Sequence, residues 1–152
     1  MANLCKSIDT TNAYAHWLST MEWTFFSTFT TAYPLTLNSA RRLMERYFSK
    51  VKTLTGDANL FWVAEPFKVR DGYHTHGLLK VPPEFKEKHL YQSLVDTYQI
   101  ACGSSVVTNN QGKLKFNNSH RIDLSQYDTS KFGARYCAKY LMKKYSDYDI
   151  LI

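Results

Sequence analysis

Two periodicities divide the chain into elements. From Trp23 to Thr31 β-branched and aromatic residues crowd together, as strands require, and Pro34 ends the run. Leu60–Glu65 and Tyr73–Lys80 read the same way, separated by a loop from Pro66 to Gly72, with Pro82-Pro83 closing the second. Elsewhere apolar residues return every three or four positions, the helical period. Leu43, Met44, Tyr47, Phe48 and Val51 do so over 38–53, opposite Arg41, Arg42, Arg46, Lys50 and Lys52, with Asn38 or Ser39 as the cap and Gly56 as the stop. Phe85, Leu90, Leu94, Val95, Tyr98 and Ile100 predict a helix over 84–101. Shorter signals predict a helix over 12–19, a hairpin pairing 105–108 with 113–116, a strand over 120–124 and a last helix over 128–144. The order is β-α-ββ-α-β(β)β-α. It predicts one α+β domain over 1–152, ferredoxin-like or RRM-like, with an antiparallel sheet of about five strands and the helices on one face.

Composition narrows the partners. The 152 residues hold 19 Lys+Arg against 13 Asp+Glu, for a net charge of +6, and 15% are aromatic. Cations meet phosphates and rings stack on bases, so the balance suits nucleic acid. No apolar run approaches the length of a membrane span, and residues 1–20 are too polar for a signal peptide. Cys5, Cys102 and Cys137 are too few and too far apart for a disulfide framework, which points to an intracellular setting.

The most specific local pattern is His74-Thr75-His76. On a strand, side chains at i and i+2 share a face, so both imidazoles can bind one cation. Glu65 ends the preceding strand. With antiparallel pairing, Phe61, Val63 and Glu65 share the face of His74, His76 and Leu78, while Trp62 and Ala64 point away. His16, His89 and His120 have no such company and read as surface or packing residues. A second pattern is Tyr136-Cys-Ala-Lys139-Tyr140 in the last helix, where i and i+4 put both phenols on one face beside the lysine. A metal that polarises a phosphate and a phenol whose proton can be removed are the components of tyrosine attack on a phosphodiester.

These motifs resemble those of the HUH superfamily of single-strand endonucleases, and most of all rolling-circle replication initiators (Rep proteins). Phe26-Ser-Thr-Phe-Thr-Thr31 is similar to the first Rep motif, Glu65 with Gly72-Tyr-His-Thr-His76 to the metal-binding motif, and Tyr136-Cys-Ala-Lys139 to the Tyr-x-x-Lys nucleophile motif. Thr75 stands where the family has an apolar residue. The resemblance implies a site-specific nickase acting on single-stranded or hairpin origin DNA in a host cytoplasm, or in a nucleus if the host is eukaryotic. Tyr136 would attack and become 5′-phosphotyrosyl-linked, with Tyr140 in reserve and Lys139 assisting. Glu65, His74 and His76 would hold Mn²⁺ or Mg²⁺, although two His and a carboxylate also suit Zn²⁺ or Fe²⁺. Phe29, Thr30, Arg41, Arg42, Lys68, Arg70 and Lys80 are candidates to touch DNA. No phosphate-binding Gly-x-x-x-x-Gly-Lys loop lies within the 152 residues, so a helicase would come from the host or from a C-terminal fusion.

Three other readings compete. A single-strand insertion-sequence transposase shares the His pair and the helical Tyr, but usually has Gln in place of Lys139. A non-catalytic RRM-like module would use the aromatic strand 23–31 as a stacking platform. A non-haem iron oxygenase shares the ligand types but is built on an all-β barrel.

Overall fold

The computed structural model describes residues 12–116, 120–128, 133–134, 137–138 and 147–152. Its elements run α1 (12–19), β1 (Phe25–Thr30), α2 (Leu37–Thr55), β2 (Asn59–Pro66), β3 (Tyr73–Lys80), a 3-10 turn (Pro83–Lys86), α3 (Lys88–Ala101), β4 (Val106–Thr108), β5 (Leu114–Phe116), β6 (Arg121–Gln126) and β7 (Tyr148–Leu151). Residues 133–134 and 137–138 are also helical. Asp128 is not helical, and the other residues of the expected 128–144 helix lie outside the described residues. Strands β6-β1-β3-β2-β7 form one antiparallel sheet, and β4-β5 form a separate ribbon. The crossover through α2 places β2 beyond β3, and the crossover through α3 places β6 beyond β1. That is the ferredoxin-like α+β arrangement expected, with β7 added at one edge. Among the described residues no helix is long and apolar enough to cross a membrane.

Strand alternation sorts the side chains into two layers. On one face Phe25, Phe29, Leu60, Trp62, Ala64 and Leu79 pack beneath Leu43, Met44, Tyr47 and Val51 of α2 and Leu94 and Tyr98 of α3. On the other, Phe61, Val63 and Leu78 pack against Leu18 of α1, Trp23, Ala134, Cys137 and Ala138. The expectation that helices occupy one face is therefore corrected. The central run Leu60-Phe-Trp-Val-Ala64 is apolar at every position, and such a strand has two faces to bury.

Three boundaries differ from the sequence expectation. The cap of α2 is Thr36, not Asn38 or Ser39. Thr36 Oγ1 accepts from the Ser39 amide at 3.1 Å and Ser39 Oγ accepts from the Thr36 amide at 2.8 Å, a reciprocal capping box. The helix expected over 84–101 is broken at Glu87, which is extended (ψ 144°), and Ile100 is 42% exposed rather than in the core. Strand β7 was not anticipated. Its start is held by Arg41, whose guanidinium donates to Asp147 (2.6 and 2.9 Å) and Asp149 (2.8 Å) and lies 5.3 Å from the Trp62 ring centre.

Candidate metal centre

The β2–β3 hairpin sets the register that brings the ligands together. Glu65 pairs with His74, and Val63 with His76. The turn between them closes when the Phe67 amide donates to Gly72 O at 3.0 Å. Gly72 has φ 98°, and a Cβ there would sit 2.9 Å from the Leu35 amide nitrogen, so this turn requires glycine. The Tyr73 amide then donates to Leu35 O at 3.1 Å, which fixes the start of β3.

The outcome is a compact trio. One carboxylate oxygen of Glu65 and one ring nitrogen from each of His74 and His76 lie within 4.8 Å of one another. Glu65 Oε2 is 2.6 Å from His76 Nε2 and 3.0 Å from His74 Nε2. Glu65 is 8% and His76 6% exposed. Burial pulls the pKa of both imidazoles below the ordinary 6.5, and for each the neighbouring Glu65 only partly offsets it. The Arg70 charge lowers His74 further, and His74 does the same to His76. Neutral rings that donate to one carboxylate oxygen carry their protons on Nε2. A cation replaces those protons, and two neutral imidazoles with one carboxylate form an open set suited to a divalent metal. The described residues therefore fit a metal ion.

The two histidines are held differently. His76 Nδ1 lies 3.2 Å from Thr28 Oγ1, directly across the β1–β3 pair. A hydroxyl can donate or accept, so Thr28 satisfies Nδ1 in either tautomer. Among the described residues His74 Nδ1 is buried with no hydrogen-bond partner. Its ring is instead held by a tilted aromatic contact. The Phe67 ring centre lies 4.6 Å from that of His74, the Arg70 guanidinium lies 3.9 Å over Phe67, and Arg70 Nη2 donates to Thr31 O at 2.8 Å. Thr28 and Phe67 were not singled out in the sequence. Thr28 sits within the first motif, but its role depends on the β1–β3 register.

The remaining candidates scatter. Arg70 and the exposed Lys68 lie on the loop beside His74, and Thr30 shares the sheet face of Thr28. Lys80 is six residues along β3 from His74, roughly 20 Å away at strand rise. Arg42 is exposed on α2, which packs on the opposite side of the sheet. Two candidates are corrected. Phe29 is 1% exposed between Tyr47 and Tyr98, so neither face of its ring can meet a base. Arg41 is committed to Asp147 and Asp149. His120 is a packing residue as expected: its Nδ1 accepts from the Ala32 amide at 2.9 Å, and its amide donates to Gln99. Tyr136, Lys139 and Tyr140 lie outside the described residues. The chain matches no family model, no curated protein and no solved structure.

Proposed function

We propose that the chain is a metal-dependent single-strand DNA nickase and strand transferase of the kind that initiates rolling-circle replication. The observation that carries this reading is the Glu65–His74–His76 trio on a sheet face that also receives Ala134, Cys137 and Ala138. Those three residues belong to the segment that holds the Tyr-x-x-Lys-Tyr motif.

Glu65, His74 and His76 would hold Mn²⁺ or Mg²⁺, which when bound offsets the charge that builds on a phosphate oxygen. Thr28 orients the His76 ring, and Phe67 holds that of His74. Arg70 and Lys68 offer positive charge to the DNA backbone beside them. Tyr136, or Tyr140 in its place, supplies the nucleophile. Its phenolic oxygen bonds to phosphorus as the bond to the 3′ oxygen breaks, and the phenol's proton ends on that oxygen. One phosphodiester is exchanged for another, so the liberated 3′-OH can later reverse the step and reseal the strand. Lys139 lends charge near the phenolate.

A non-catalytic stacking module would need several exposed rings on β1, where Phe25 and Phe29 are each 1% exposed and Phe26 alone is half-buried. The nickase reading is tested by incubating the protein with a labelled single-stranded oligonucleotide library and Mn²⁺. Discrete cleavage is expected, abolished by chelator and by His76→Ala. Intact DNA with both Mn²⁺ and Mg²⁺ would refute it.

A further inference from the structure

His76 is a wall shared by two spaces. On its β2 side lies the metal trio, and on its β6 side opens a cleft of about 390 Å³. Phe26 and Tyr127 bring aromatic rings to this cleft, and the Phe26 ring lies nearly parallel to the imidazole of His76 (17°). Gly133 forms another wall. A Cβ there would lie 3.1 Å from Phe26 Cδ2 and 3.3 Å from Tyr127 Cε2, so the bare backbone lets both rings close on one slot. A helical glycine costs about 1 kcal/mol against alanine, which marks the close approach as a feature the fold sustains.

The chemistry of the lining selects its occupant. Ser125 and Gln126 supply neutral donors and acceptors at the rim, beside the two aromatic rings, Thr28 and the imidazole of His76. A flat, uncharged group with hydrogen-bonding edges matches this lining, as in ligand clefts that pair apolar walls with a few polar anchors. Arg70, the cation whose charge acts on His74, lies on the 66–72 loop and does not line the cleft.

We propose that this cleft seats one unstacked nucleobase of the bound strand, next to the phosphate at the metal centre. The assignment rests on the nuclease reading and adds a base-recognition subsite formed by Phe26, Tyr127 and Gln126. Stacking on such rings holds single strands with little sequence preference.

The test is fluorescence anisotropy of the full chain in chelator, with a random-sequence single-stranded DNA octamer pool and an abasic octamer carrying the same phosphates. The abasic strand is expected to bind about tenfold more weakly or worse, the range that base–aromatic stacking spans. Tyr127→Leu removes the difference and Tyr127→Phe preserves it. Gln126→Trp, at an exposed rim position, fills the cleft from outside and also removes it. Equal affinity for the two strands, no binding of the octamer pool, or a preference that survives both Tyr127→Leu and Gln126→Trp overturns the proposal. Cleavage separates the two claims. A protein that prefers bases in this way but never cuts keeps the cleft and loses the nickase. A protein that cuts without the preference keeps the nickase and loses the cleft.

Discussion

Replacing Thr28 with valine removes a hydroxyl and leaves the shape of the side chain almost unchanged. Thr28 Oγ1 lies 3.2 Å from His76 Nδ1; both residues line the cleft, but His76 is only 6% exposed and valine would give a water in that place no polar partner of its own. When Nε2 binds a cation, the ring's remaining proton sits on Nδ1 and needs an acceptor. Without Thr28 that N–H is buried and unsatisfied, at a cost of about 1–3 kcal/mol. This corresponds to a loss of about 5- to 150-fold in affinity, which brackets the roughly 10- to 100-fold typical of residues that orient metal-bound histidines. Valine is at home in a strand, so the fold should persist. Titration of Mn²⁺ without DNA, following the free-ion electron paramagnetic resonance signal, should show a dissociation constant raised about 10- to 100-fold in Thr28→Val. Thr28→Ser, which keeps the hydroxyl, should bind nearly as the parent does. Binding of Mn²⁺ by Thr28→Val within twofold of the parent would refute the reasoning.

Phe67→Ala removes the ring 4.6 Å from His74. At about 0.5–1.5 kcal/mol for such a contact, calorimetric Mn²⁺ affinity should fall about two- to tenfold, with Phe67→Tyr close to the parent. Arg41→Ala should lower stability to urea by about 1–2 kcal/mol, the sum of two partly exposed ion pairs and a cation–π contact, and amide exchange should quicken across Tyr148–Leu151. The pKa values of His74, His76 and His120 are held below 6.5, chiefly by burial. As pH falls, the unfolded chain binds protons before the folded one does. Metal-free stability is therefore full above about pH 6.5, declines below it, and stops declining from this cause once the folded imidazoles protonate. A urea midpoint unchanged between ~pH 7.5 and ~pH 5.5 would contradict that.

The ligand trio was legible because it depends on two local rules. Alternation put His74 and His76 on one face, and a short connection made antiparallel pairing with the Glu65 strand the simplest arrangement. The core of α2 was legible for the same reason, since its buried positions recur with the helical period. What the sequence did not show depended on contacts between distant segments. Thr28 becomes a partner of His76 only through the β1–β3 register, 48 residues apart. Phe29 has the composition of a stacking platform, but its face of β1 is covered by Tyr47 and Tyr98. Arg41 carries the same charge as Arg42 but meets two carboxylates more than 100 residues along the chain. Strand β7 was hidden because Asp147 and Asp149 look like solvated loop residues until Arg41 is placed between them.

The most direct test of the nickase reading is intact-mass analysis after incubation with Mn²⁺ and the single-stranded library, followed by peptide mapping. The account predicts a protein species heavier by one DNA fragment, mapped to Tyr136 or Tyr140, and lost when that residue becomes Phe or when Glu65, His74 or His76 becomes Ala. Cleavage with no covalent species, or an adduct that persists when Tyr136 and Tyr140 are both replaced by Phe, would contradict it.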